Sequence, residues 1–214
     1  MEILEKRLSK LGSTLGLSRI RKLLKKWGNP QNNFKVILVA GTNGKGSVVA
    51  YLSSILKEAG YRTGSFYSPH LIDYNERIKI NGEKIPNKLL KKYSREIIKY
   101  LDSGGKITLF EAITAIAFRY FSEKRVEYAV METGMGGRLD ATNIANEEIG
   151  IITNIGLEHT RWLGKTEGKI AGEKAGIIKK GKVITGARGR ALEVIKKTAK
   201  RKGKKIFTLG EDFL

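Results

Sequence analysis

The 214-residue chain is predicted to be an α/β protein, a doubly wound, mostly parallel sheet with a phosphate loop and helices on both faces. Three observations predict it. Short apolar, β-branched runs alternate with amphipathic helical patterns along the chain. One of these runs, Val36 to Ala40, ends in a glycine-rich turn that opens a helix. Each strand candidate then delivers polar residues just past its C-terminal end, where ligands bind in such sheets.

The elements follow in order. Residues 17–28 read as an amphipathic helix with Ser18 as N-cap; Ile20, Leu23, Leu24 and Trp27 share one face, and Gly28 ends it. Asn29–Pro30 forces a turn. A strand at 36–40 leads into a helix at 45–59, followed by a short strand near Arg62–Tyr67. Residues 72–86 form an excursion or hairpin turning at Asn81–Gly82. Helices are expected at 87–101, 109–122 and 166–176, and also from Arg190 to Arg201. The remaining strands are Val126–Met131, Ile149–Thr153, Val183–Thr185 and Ile206–Leu209. No internal repeat, low-complexity tract or linker interrupts the series.

Composition bounds the setting. The chain is long enough to bury a full core as one large domain or two small ones. No run approaches the roughly 18 apolar residues of a spanning helix, and the first residues carry no apolar signal region. The absence of cysteine excludes disulfides, thiolate chemistry and cysteine-ligated zinc. A cytoplasmic location without membrane attachment is expected.

Formal net charge is +20, which points to anionic partners. Between Lys179 and Lys205, twelve Lys or Arg residues face one acid, Glu193. That run reads as a solvated basic helix face with Leu192, Val194 and Ile195 as its apolar members. Nucleic-acid binding is the sharper alternative, but Ala191 to Arg201 contains no aromatic residue on which a base could stack. A polyanionic small substrate explains the sign equally well.

The phosphate loop comprises Gly41, Thr42, Asn43, Gly44, Lys45, Gly46 and Ser47. Its glycines let backbone N–H groups approach ATP phosphates, Lys45 adds positive charge, and the Ser47 hydroxyl can hold Mg²⁺. The match to the common phosphate-loop pattern is imperfect. Val39 stands at the first glycine position, and Gly46 separates the lysine from the serine.

Other strand ends supply further candidates. Glu132 ends an apolar strand and suits the Mg²⁺ that bridges nucleotide phosphates; a capping or ion-paired glutamate is the plainer reading. His159 is one of two histidines and stands at a strand end, where a metal, phosphate or structural role is open. His70 reads as surface packing behind Pro69, and Ser68 is a candidate hydroxyl ligand.

Seven segments carry a resemblance. They are Gly-Asn-Pro-Gln (28–31), Gly-Thr-Asn-Gly-Lys-Gly-Ser (41–47), Ser-Pro-His-Leu (68–71), Asn-Glu-Arg-Ile (75–78), Thr-Leu-Phe-Glu-Ala (108–112), the twelve residues from Glu132 to Asn143, and Glu-Lys-Ala-Gly-Ile-Ile-Lys (173–179). In this order they resemble the folylpolyglutamate synthase and dihydrofolate synthase family of Mur-type ligases, from about residue 17 to the end. The resemblance implies an ATP-dependent ligase that phosphorylates a dihydropteroate or folate carboxylate and joins L-glutamate to the acyl phosphate. By the resemblance, Lys45 and Ser47 act on ATP and its Mg²⁺, with Glu132 on the same first metal. A second Mg²⁺ is assigned to His159 and Ser68. Lys174 is expected to be carbamylated in support of it, which makes Lys45, Lys174 and His159 the catalytic set. Thr108, Phe110 and Arg77 are assigned to the pterin or folate. Gly-Lys-Gly-Ser is the family's own form of the loop.

Family members continue into a second α/β domain. Residues 1–214 are accordingly expected to be the ATP-binding domain alone, with little ligation unless a C-terminal domain, in a separate chain for instance, closes over the site. A phosphate-loop nucleotide hydrolase of other specificity is the alternative reading, and a basic nucleic-acid-binding protein a second.

Overall fold

The computed structural model describes residues 1–8 and 14–214. Eight helices and eight strands are assigned names here in chain order: α1 (Glu2–Leu8), α2 (Ser18–Lys26), β1 (Lys35–Ala40), α3 (Lys45–Glu58), β2 (Thr63–Phe66), β3 (Ile78–Ile80), β4 (Glu83–Lys84) and α4 (Asn87–Asp102). There follow α5 (Leu109–Glu123), β5 (Tyr128–Glu132), β6 (Glu147–Ile152), α6 (Thr160–Leu163), α7 (Glu167–Lys174), β7 (Lys182–Thr185), α8 (Gly189–Arg201) and β8 (Ile206–Thr208).

All strands join one sheet in the order β4-β3-β2-β5-β1-β6-β7-β8. The six from β2 to β8 in this order run parallel, while β3 and β4 add an antiparallel edge. The edge hairpin turns where the sequence predicts, with Asn81 and Gly82 both at positive φ. Strand β1 lies between β5 and β6, so three loops from consecutive positions in space meet at its C-terminal end.

The alternating side-chain period sorts β1 between two cores. Val36, Leu38 and Ala40 join the large core with α2, α4, α5, α7 and α8, whereas Ile37 and Val39 join a small one with Val49 and Leu52 of α3. The helices therefore cover the two faces unevenly. Helix α5 contributes most, with Ala112 to Phe118 entirely buried. No helix among the described residues is long and apolar enough to cross a membrane.

Several expectations are corrected. Ser18 is the first residue of α2 rather than its cap; Leu17 precedes it, with no side-chain capping bond. The burial set of α8 is Ala191, Ile195 and Ala199, one stripe at i, i+4 and i+8, with Leu192 and Val194 only half-buried on its flanks. Val126 is buried ahead of β5 rather than within it. Helices α1 and α6 had no sequence prediction: both are short, and α6 begins in a left-handed His159 that breaks any periodic pattern.

Candidate active site

The phosphate loop spans the gap between β1 and α3. Gly44 caps α3 from a left-handed conformation at φ +76°. At Gly41 a Cβ would lie 1.8 Å from Thr153 Oγ1, so only glycine lets the two loops approach. The loop after β6 braces the phosphate loop along its length. Thr42 N–H donates to the Asn154 carbonyl at 3.0 Å, Asn43 N–H to Asn154 Oδ1 at 2.9 Å, and the Thr153 hydroxyl to the Asn43 carbonyl at 2.7 Å. Thr42 Oγ1 accepts from Gly156 N–H at 3.0 Å. Thr153 and Asn154 give no signal in the sequence, because the partners of their side chains lie 110 and 111 residues away along the chain.

Lys45 stands on the first turn of α3 and donates to the Gly41 and Thr42 carbonyls at 3.0 and 3.1 Å. Its ammonium is thus held over the loop, where a phosphate would meet both it and the N–H groups of the helix start. Ser47, two residues on, is exposed.

Glu132 is the last residue of β5 and is buried, with Oε2 accepting the Ser68 N–H at 3.1 Å. The same Oε2 lies 3.5 Å from where a Gly46 Cβ would stand. Gly46, the residue that spoils the common pattern, is therefore where the helix start passes the carboxylate. Burial raises the Glu132 pKa, opposed by the Ser68 N–H and the charges of Lys45 and Arg77. Arg77 donates through Nε to His70 Nδ1 at 2.8 Å and stacks 5.4 Å from the Tyr74 ring. His70 thus orients an arginine, a more specific task than surface packing.

Lys174 is the most buried charged side chain in the region, at 1% exposure. It ends α7, donates to the Gly41 carbonyl at 2.8 Å and pairs with Glu158. Burial lowers its pKa, against the raising effect of Glu158. Glu158 was not singled out from the sequence. Neighbouring His159 is exposed at φ +44°.

A cavity of about 560 Å³ opens beside these groups. Lys45, Ser68, Arg77, Thr108, Phe110 and His159 all line it, so one space gathers residues predicted separately from five segments. Its walls include Leu15, Met135 and Leu139. Thr108 caps α5 in a reciprocal box with Glu111, and Arg19 Nε clamps Glu111 Oε2 at 3.0 Å. Phe110 lies so close to the loop after β5 that a Cβ at Gly134 would be 2.6 Å from its ring. That loop is shaped by Asp140, which sequence reasoning also missed. Asp140 Oδ2 accepts N–H groups of Gly134 and Met135 at 2.9 Å, and Oδ1 accepts the Thr142 N–H and hydroxyl.

The donor set suits a hard cation that keeps phosphate and water ligands: an exposed hydroxyl at Ser47 and a buried carboxylate at Glu132. No group of three or more His, Cys, Asp or Glu side chains among the described residues forms a ready cage. A metal here would be completed by nucleotide oxygens.

A family model for the Mur ligase middle domain matches residues 39–213. The chain is 44% identical over 200 residues to the dihydrofolate synthase/folylpolyglutamate synthase of Bacillus subtilis, covering 90% of this chain and 46% of that protein. It is 43% identical over 203 residues to the dihydrofolate synthetase of Saccharomyces cerevisiae, covering 90% and 47%. Among solved structures it resembles folylpolyglutamate synthase from Thermotoga maritima, with TM-score 0.87 and 40% identity over 99% of this chain and 51% of that one. It also resembles Escherichia coli FolC in complex with DHPP and ADP, with TM-score 0.87 and 34% identity over 97% and 51%. The chain spans about half the length of the curated relatives it matches.

Proposed function

The chain belongs to the Mur ligase family, and from that premise we propose that it is the nucleotide-binding part of an ATP-dependent ligase joining L-glutamate to the carboxylate of a dihydropteroate or folate. One observation carries the reading: the phosphate-loop lysine, Arg77 and the Phe110 wall face one 560 Å³ cavity at the C-terminal edge of the sheet. That arrangement supports reading a heterocycle pocket beside a phosphate cradle, close enough to serve two halves of one reaction. The relatives named for these activities support the choice of substrates.

In this reading the loop from Gly41 to Ser47 binds ATP through its N–H groups, and Lys45 draws the γ-phosphate toward the acceptor carboxylate. The carboxylate oxygen attacks the γ-phosphorus and ADP leaves; the glutamate amine then attacks the carbonyl carbon of the acyl phosphate, forming the amide bond as inorganic phosphate and a proton depart. Lys45 and Arg77 offset the repulsion between carboxylate and triphosphate. Ser47 and Glu132 would hold one Mg²⁺, and Ser68 and His159 a second; when bound, these ions neutralise phosphate charge as it develops. Thr108 and Phe110 position the heterocycle. Such a reaction draws on ATP and belongs in the cytoplasm.

Lys174 fits carbamylation because burial favours its neutral amine, the form that attacks CO₂ with loss of a proton. The new carbamate is an anion facing Glu158, so carbamylation and metal binding would support each other.

Ligation is expected to need a polypeptide equivalent to the half of the relatives that this chain does not span. The test supplies ATP, glutamate and dihydropteroate or folate to the chain, with and without the C-terminal half of the Bacillus subtilis relative. Nucleotide binding by the chain alone, lost in Lys45→Ala, and phosphate release that depends on acceptor, glutamate and the added half would support the reading. Full ATP turnover without acceptor or glutamate would assign the chain to another class of nucleotide hydrolase.

A further inference from the structure

Behind the loops of the active site, a second recess of about 370 Å³ lies between the end of α7 and the face of α8. Arg138, Lys197, Arg201 and Lys202 line it, over a floor that includes Gly172 and Gly176. Neither aromatic nor acidic side chains line this recess. Arg138 is paired with Glu173 at 2.9 Å. Lys202 is anchored through its ammonium to the Ile178 carbonyl. A Cβ at Gly176 would lie 2.3 Å from the Arg138 Cβ, so that position requires glycine, whereas one at Gly172 would meet open space.

Compensation of the helix dipole accounts for basic residues in the last turn of α8. It does not account for a concavity, nor for Arg138, which comes from the loop after β5. Four cations converge from two segments, and with Arg138 offset by Glu173 the net positive charge of Lys197, Arg201 and Lys202 still raises the local concentration of multivalent anions. We propose that this recess binds a compact polyanion, a short run of closely spaced phosphates or carboxylates. The absence of stacking surfaces among its described lining residues disfavours nucleic acid, and its volume falls in the range of small-ligand pockets. Its position matters for the site in front of it. Arg138 shares a loop with Leu139 and Asp140 of the larger cavity, and Gly172 and Gly176 flank Lys174. The recess stands independently of the ligase reading.

Amide spectra of the ¹⁵N-labelled chain, titrated with tripolyphosphate and separately with tri-γ-glutamate at about 0.15 M salt, provide the test. The expected result is movement of the Gly172, Gly176 and Thr198 signals, with the tighter probe identifying phosphate or carboxylate chemistry. Lys197→Glu with Arg201→Glu should abolish these shifts and weaken binding roughly tenfold or more; the milder pair Lys197→Gln and Arg201→Gln should weaken it less. Shifts confined to Gly41–Ser47, shifts spread evenly over the basic surface, or shifts that survive both variants would overturn the proposal. So would tighter binding of a single-stranded oligonucleotide, with shifts running along α8 to Lys205, which would give the surface to nucleic acid instead.

Discussion

Two lysines five positions apart, buried Lys174 and half-buried Lys179, stand at opposite ends of the sheet's strands. Both have their pKa lowered by burial, Lys179 to about 8. Lys174 reaches the Gly41 carbonyl at the edge where ligands gather. Lys179 reaches the carbonyls of Asn143 and Ala145 ahead of β6, and pairs with Glu147 at 3.7 Å. Glu147 Oε1 in turn accepts the N–H groups of Lys179, Lys180 and Gly181, which sews the approach to β7 onto the start of β6. Under the proposed function, the same physics serves a reaction at one end and a fold at the other. A perturbed lysine marks function only where its surroundings converge on a cavity.

The comparison breaks most sharply through Glu147. Glu147→Ala leaves three N–H groups and the half-buried Lys179 ammonium without their carboxylate, and should cost about 3–5 kcal/mol in urea unfolding. Nucleotide affinity of the folded variant should stay near wild type. An equal loss of nucleotide binding would erase the distinction between the two edges.

Lys174→Met should do the reverse. Acceptor-dependent phosphate release, measured with the companion half supplied, should drop on the order of a hundredfold, about 2.7 kcal/mol of barrier. Stability should fall less than in Glu147→Ala. Unchanged turnover would leave Lys174 a structural residue like its neighbour.

The pH dependence separates them further. Between about 8 and the ordinary 10.5, folded Lys179 has released a proton that the unfolded chain still holds. Its contribution to the unfolding free energy therefore rises with pH across that window, by roughly 2 kcal/mol once its partial exposure is discounted. Subtracting the Lys179→Met profile from wild type isolates this slope, and coincident profiles would contradict it. The smallest effect is expected at Lys196–Glu211, an exposed pair at 2.6 Å. Glu211→Gln should change stability by less than about 0.5 kcal/mol, as a thermal melt would read.

The sheet was legible because its strands are apolar runs closed by glycines, and the phosphate loop because its backbone needs are written into Gly41, Gly44 and Gly46. Glu132, Ser68 and Lys45 were legible from their places at strand ends. Asp140, Thr153 and Glu158 were not. Each acts on a partner defined by three-dimensional approach: Asp140 on the backbone of its own loop, Thr153 on a loop more than a hundred residues away, Glu158 on a lysine from another helix. The α8 pattern misled for a related reason. Its buried stripe sets two alanines beside the expected Ile195, and their small side chains carry little weight in a hydrophobic pattern yet allow close packing.

One oxygen remains to be considered, the carbonyl of Gly41. It accepts from Lys45 at 3.0 Å and from Lys174 at 2.8 Å. Two ammonium groups hinge on a single atom, so the distance between them is gauged by that atom and by the length of each side chain. Lengthening one, as Lys45→Arg does, would push the other off its mark. The two positions should then behave as a matched pair, with double-variant effects far from the sum of the single ones.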